Sequence, residues 1–285
     1  MEWLILSKLK LIKSKVRESV KKALLEDGYK NDLSLKLKNF NKNKIISASV
    51  TTRQKGTLSG SSWFEESFKI IDKNAKIEWY VNEGSSFKKD SKIVRIKAKS
   101  EAILSGERTA LNFLQLMSGI ASKASKYSKV LKNSSIELLD TRKTLPNLRY
   151  EQKYSTSLGG AKNHRFGLFD AIMLKDNHLK VFGGVSKLKN LKYKNKGDFL
   201  EIEIEKLSQI KLALKAKPDI LLLDNLSIIE IKKAINIIDN NCLIEISGIK
   251  NPDDLKKYRD LKIHYISLGD LTKNIESIDF SLNIL

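Results

Sequence analysis

The run LEIEIEKLSQIKLALKAKPDILLLDN at residues 200–225 reads as a strand, a helix and a second strand. From Leu200 to Glu205 apolar and acidic residues alternate, so Glu201, Glu203 and Glu205 would share one face of a strand. Ser208 to Ala216 has helical spacing, and Ile220 to Leu223 is a short apolar run that stops at Asp224-Asn225. A helix between two strands implies parallel pairing, and buried parallel strands are apolar almost throughout.

The same unit recurs on both sides. Downstream, Leu243 to Ile246 runs into Ser247-Gly248 and Ile263 to Leu268 into Gly269, with a helical segment at Ser227 to Ile238. Upstream, Ile136 to Leu139 runs into Asp140-Thr141-Arg142-Lys143, and Ala171 to Leu174 into Lys175-Asp176-Asn177-His178. In (β/α) barrels the chemistry sits at the carboxyl ends of successive strands. Six consecutive strand ends bearing Arg/Lys, Lys, Glu, Asp, Ser-Gly and Gly are the sequence form of such a site.

The first part of the chain is patterned differently. Leu4 to Leu25 reads as a basic amphipathic helix ending near Asp27-Gly28. Strand-like runs follow at Ile45 to Val50, Ile77 to Val81 and Ile93 to Ile96, with a helix at Ser61 to Ile71. A long helix is expected from about Ser105, with that serine as its N-cap.

Composition narrows the function classes. The 285 residues are 41% hydrophobic and 30% charged, and no apolar run approaches the ~20 residues needed to span a bilayer. The single cysteine, Cys242, excludes an internal disulfide framework and reads as a small buried hydrophobe, so a cytoplasmic location is expected. The net charge of +20 could mark a nucleic-acid partner, but the lysines are spread along the whole chain without a nucleic-acid motif. Arginine is used differently. Four of the eight arginines (Arg108, Arg142, Arg149, Arg165) and two of the three histidines (His164, His178) fall between Glu107 and His178. The planar guanidinium matches carboxylate and phosphate oxygens two at a time, so this stretch reads as an anion site.

Several motifs sharpen that reading, each with a plainer alternative. Arg142-Lys143 follows a strand, where it would serve as an anion site or as a loop pair bridged to Asp140. Gly159-Gly160 would let the backbone turn tightly before Asn163-His164-Arg165 supplies donors. Lys175 ends an apolar strand, where a lysine is costly unless paired or functional. Glu203 and Asp224 could hold Mg²⁺, which favours one or two carboxylates beside phosphate oxygens, or could pair with Lys175. Ser247-Gly248 and Gly269 could offer backbone N–H groups to a phosphate. His264 lies within an apolar strand and reads as structural.

Seven segments, in order, resemble the quinolinate phosphoribosyltransferase family, also called nicotinate-nucleotide pyrophosphorylase. They are GERTALNFLQLMSGIAS (106–122), LLDTRKTLPNLR (138–149), GGAKNHRFGLFDAIMLKDNH (159–178), EIEIEKL (201–207), ILLLDN (220–225), EISG (245–248) and YISLGDLT (265–272). The resemblance implies an N-terminal α/β open-sheet domain at 1–115, joined by the tail 271–285, and an open, incomplete (β/α) barrel at 116–270. It implies a homodimer in which Arg108 reaches the partner's site. Arg142, Lys143, His164, Arg165 and Lys175 would form the cationic pocket. Glu203 and Asp224 would serve ribose and Mg²⁺, and Ser247, Gly248 and Gly269 the 5′-phosphate. The implied reaction joins quinolinate to phosphoribosyl pyrophosphate, with no role for nucleic acid or membrane. Lys143, Lys175, Glu203 and Asp224 would be its catalytic residues. The chain departs from the family's pattern at Ile249, where a second glycine is usual, and at Ala161, Asn31 and Lys273. A paralogue acting on another acceptor, of the kind associated with molybdate transport, is the nearest alternative, and a basic nucleic-acid-binding module the remote one.

Overall fold

A computed structural model of the chain describes residues 10–190, 199–249 and 251–285 and divides it into two compact units. The first comprises residues 9–125, 145–159 and 274–285. Its four-stranded antiparallel sheet has the order β12-β1-β5-β3, formed by β1 (Ile45–Thr52), β3 (Lys76–Trp79), β5 (Lys92–Lys99) and β12 (Phe280–Ile284). A two-residue pair, β2 (Gly56–Thr57) with β4 (Ser86–Phe87), lies apart from it. The last strand pairs with the first, Phe280 opposite Thr52 and Ile284 opposite Ala48.

Helices complete this unit. On α1 (Lys13–Glu26), Val16, Val20 and Leu24 recur every fourth residue and are buried. They share a cluster with Phe113, Met117, Tyr154 and Trp63 of α2 (Ser61–Lys69). Each such side chain contributes roughly 1.5–3 kcal/mol on leaving water. The first turn of this helix differs from expectation: Ile12 is extended, and Leu4 to Leu9 lies outside the described residues. The long helix also differs. It starts at Ser100, as α3 (Ser100–Val130), because the chain turns into it directly from β5. Ser105 is therefore not a cap; it is buried and donates to Asp32 Oδ2 at 3.0 Å. The boundary expected between 115 and 116 falls inside this helix, which stays with the first unit as far as Ser125. Residues 145–159 carry α4 (Arg149–Leu158), whose polar stretch from Glu151 to Ser157 is buried.

The second unit comprises residues 126–144 and 160–273. Its six strands are β6 (Glu137–Leu139), β7 (Ile172–Leu174), β8 (Leu200–Ile204), β9 (Ile220–Asp224), β10 (Leu243–Ser247) and β11 (Tyr265–Ser267). They form one parallel sheet in the order β6-β11-β10-β9-β8-β7. Lys162 adds a parallel rung beside Leu139. Among the described residues the edges β6 and β7 are not paired with each other, so the row stays open. Short helices α5 (Asp176–Val181), α6 (Ile210–Leu214), α7 (Ile228–Ile238) and α8 (Asp270–Lys273) follow strands. Ser227 caps α7 by accepting from Glu230 N–H, with the Glu230 carboxylate reaching back to Ser227. The architecture is thus the expected α/β class, an antiparallel-sheet unit followed by a parallel-stranded one. No helix among the described residues is long and apolar enough to cross a membrane.

Candidate active site

Parallel strands in register bring their carboxyl ends to one rim, and the register decides which side chains share it. Met173 lies opposite Glu201, Glu203 opposite Leu222, Leu222 opposite Glu245, and Asp224 opposite Ser247. Because side chains alternate along a strand, these residues all project from one face. That face borders a cavity of about 300 Å³. Of the residues anticipated from sequence, Arg142, Lys143, His164, Arg165, Lys175 and Ser247 line it. Glu203 reaches it through an ion pair, its Oε2 lying 2.8 Å from Lys175 Nζ. Asp224 sits at the end of β9, with its Oδ2 accepting from Asn225 Nδ2 at 2.6 Å.

The glycines have steric reasons. Gly248 has φ +83°, and a Cβ there would lie 2.3 Å from Asn225 Oδ1. A Cβ on Gly269 would lie 2.8 Å from Lys143 Cδ. Gly248→Ala should therefore cost about 1–2 kcal/mol for a left-handed alanine and additionally displace Asn225. Thermal denaturation would register both effects. An unchanged variant would show that this loop tolerates a side chain.

Lys175 is held in place by its neighbours. Its backbone N–H donates to His178 Nδ1 at 3.1 Å, at the start of α5. His178 thus shapes the turn that presents Lys175. His264 behaves structurally: its Nδ1 accepts from Ile244 N–H at 3.1 Å. Cys242 is half-buried and unpaired.

The cavity floor was only partly legible beforehand. Asp140, considered as a salt-bridge partner for Arg142 and Lys143, is fully buried and accepts from Asn163 Nδ2 at 2.6 Å and His164 N–H at 2.9 Å. His164 Nε2 lies 3.0 Å from Glu201 Oε2 and 3.6 Å from Glu245 Oε2, and both acids are buried. Neither glutamate was singled out from sequence. Alternation put Glu201 on the correct face, but nothing local signalled its partner. Glu205, expected on the same face, lies beyond the end of β8 and is exposed.

Electrostatics explain the arrangement. Burial works against a charged His164, but Glu201 and then Glu245 outweigh it and push its pKa up to about 10. Yet its Nδ1 accepts the Arg165 backbone N–H at 2.8 Å, which a doubly protonated ring could not do. The proton is therefore held at Nε2, among the carboxylates. Burial, followed by the nearness of Glu201, raises the Glu245 pKa, while His164 works in the opposite direction. Arg165 donates from Nη1 to Ala171 O at 3.0 Å. Burial, and then the positive charge of Arg142, press against its charged form, while Glu201 and Asp170 compensate. An anion bound beside Arg142 and Arg165 would relieve the repulsion between them. The Arg142 Nε–H is buried and has no hydrogen-bond partner among the described residues.

Arg108 is not part of this cavity. It is exposed and borders a second one, about 290 Å³, within the first unit beside Glu26, Asp27 and Asn112.

The chain has direct counterparts among known proteins. Residues 29–118 match the family described as quinolinate phosphoribosyl transferase, N-terminal domain, and residues 120–283 match its C-terminal domain. The chain belongs to the quinolinate phosphoribosyltransferase family. A probable nicotinate-nucleotide pyrophosphorylase [carboxylating] of Bacillus subtilis is 32% identical over 239 residues, covering 83% of each chain. The crystal structure of NadC from Streptococcus pyogenes is 35% identical, with a TM-score of 0.89 over 97% of this chain and 99% of that one. The nicotinate-nucleotide pyrophosphorylase from Francisella tularensis superposes with a TM-score of 0.90 at 32% identity, over 98% of this chain and 99% of that one. The family assignment made from the seven sequence segments is thus borne out, and the chain is a phosphoribosyltransferase of the decarboxylating, quinolinate-using class.

Proposed function

We propose that the cavity at the strand ends of the second unit is where this enzyme joins quinolinate to phosphoribosyl pyrophosphate, giving nicotinate mononucleotide, CO₂ and pyrophosphate. The observation that carries this reading is the buried, unpartnered Arg142 Nε–H beside Arg165, a donor set awaiting an anion. A pyridine dicarboxylate supplies the acceptor oxygens and separates the two positive charges. Arg142 and Arg165 hold the carboxylates and orient the ring nitrogen toward the ribose C1. Ser247, Gly248 and Gly269 seat the 5′-phosphate.

Charge develops on the departing pyrophosphate as the glycosidic bond loosens. Lys143 and Lys175 are placed to neutralise it, and positioning with electrostatics supplies most of the rate because no covalent nucleophile is needed. Glu203, now paired with Lys175, and Asp224, two residues further along the neighbouring strand, are carboxylates of the kind that hold Mg²⁺ beside phosphate oxygens. Bound there, the metal would supply Lewis-acid neutralisation of the diphosphate. Once alkylated, the ring nitrogen is cationic and stabilises the carbanion left when the adjacent carboxylate departs as CO₂.

A homodimer belongs to the same reading, with Arg108 completing the partner's pocket. The exposed apolar side chains Leu168, Phe169, Val181 and Phe182 support an interface on the second unit. A cytoplasmic location fits a chain whose one cysteine is unpaired. The deciding assay pairs quinolinate with phosphoribosyl pyrophosphate and follows CO₂ release. Turnover is expected with Mg²⁺ and is expected to vanish on chelation. Turnover with a different acceptor but not with quinolinate would instead assign the scaffold to a paralogous transferase.

A further inference from the structure

The buried group His164, Glu201 and Glu245 has no part in the mechanism above. Its ligand-type atoms all lie within 4.8 Å of one another, so two uses compete: a cation site or a clamp on the histidine. The imidazole decides between them. A metal-bound imidazole ligates through one nitrogen and keeps its proton on the other. Here Nδ1 accepts the Arg165 N–H at 2.8 Å, so Nδ1 is bare and the proton sits on Nε2, the nitrogen that faces both carboxylates. A cation at that point would have to displace this proton and leave an imidazolate. The group therefore encloses a hydrogen bond.

This changes what His164 does. From sequence it was expected to supply a donor that helps hold the dicarboxylate. In the structure both ring nitrogens are engaged by protein: Nε2 with Glu201 at 3.0 Å and Nδ1 with Arg165. Its backbone N–H is held by Asp140 at 2.9 Å. The ring is a strut linking β8, through Glu201, to the backbone of Arg165, whose guanidinium is then anchored on Ala171 O at 3.0 Å. Glu245 Oε2 lies 3.6 Å from the same Nε2, beyond hydrogen-bond distance.

We propose that Glu201 is a positioning residue of the transferase reaction, holding the His164 ring so that Arg165 is set in the dicarboxylate subsite. The proposal rests on the catalytic reading of the cavity. It predicts that what matters at 201 is an acceptor oxygen at His164 Nε2.

The test combines nitrogen NMR with kinetics on the full-length enzyme. With only three histidines in the chain, the His164 ring nitrogens can be assigned by comparison with single His178 and His264 variants. Wild type should show a protonated Nε2 and a bare Nδ1. Glu201→Gln keeps an acceptor oxygen and should keep that signature, with the quinolinate KM within about threefold of wild type. Glu201→Leu removes it and should lose the signature and raise the quinolinate KM about tenfold or more, as expected for one buried hydrogen bond, while the phosphoribosyl pyrophosphate KM stays within about twofold. A wild-type spectrum with the proton on Nδ1 would overturn the clamp, whether or not the leucine variant folds. So would a leucine variant that keeps its quinolinate KM, or one that loses affinity for both substrates alike. Absence of quinolinate turnover in wild type would instead remove the catalytic reading, with the tautomer measurement still deciding the clamp.

Discussion

Replacing Arg142 by alanine is expected to lower kcat/KM for quinolinate by about 10²–10³-fold, the loss that follows removal of one preorganised donor at a charged reacting group. The residue follows β6, lines the cavity, and has a buried Nε–H with no acceptor among the described residues. That Nε–H donor is therefore not used by any described protein group. Little in the fold leans on the side chain, so thermal denaturation should change far less than turnover. Arg142→Lys should restore only a small part of the activity, because an ammonium cannot make the two-point contact of a guanidinium. Near-normal turnover in the alanine variant would remove the carboxylate role from this residue.

The second large effect concerns subunit mixing. Arg108→Ala alone should be nearly inactive if its guanidinium completes the partner's pocket. Combining that inactive variant with inactive Arg142→Ala under conditions that exchange subunits should restore activity. In a mixed dimer one pocket carries both mutations and the other carries neither. Random reassortment makes half the dimers mixed, so recovery should approach about a quarter of the wild-type rate. The geometry that motivates the experiment is specific. Arg108 is exposed on α3 and borders a cavity of the first unit, whereas Arg142, Arg165 and Lys175 border the cavity of the second. No recovery, with dimers verified by light scattering, would mean that Arg108 does not act across subunits.

The strand ends were legible because parallel topology turns a local pattern into a spatial one. Each apolar run ending in Arg142-Lys143, Lys175, Glu203, Asp224 or Ser247 had to deliver that residue to the same rim. Gly248 was legible as a loop glycine, although its need for a positive φ beside Asn225 was not. Helix starts were harder. Ser105 resembled a cap, but the preceding strand feeds α3 five residues earlier, and a serine within a helix can turn its hydroxyl to a distant acceptor such as Asp32. The least legible residues were Glu201 and Glu245. A buried acid is tolerated only when a donor or a shared proton compensates it. Here that compensation comes from His164, 37 residues before Glu201 and on a different segment.

From the order of apolar runs and their polar ends alone, the chain determines a parallel-stranded unit with a rim of cations and carboxylates, while its family was legible only in the resemblance of seven motif segments. The strand order and its rim follow from short-range periodicity, which every residue carries in its spacing to its neighbours. Tertiary structure alone decided that His164 meets Glu201 and the backbone of Arg165, that Glu245 is buried beside them and that Arg142 has an unused donor. Protonation and hydrogen-bond satisfaction depend on which groups meet once water has been excluded, and those meetings are made between segments that spacing along the chain does not connect.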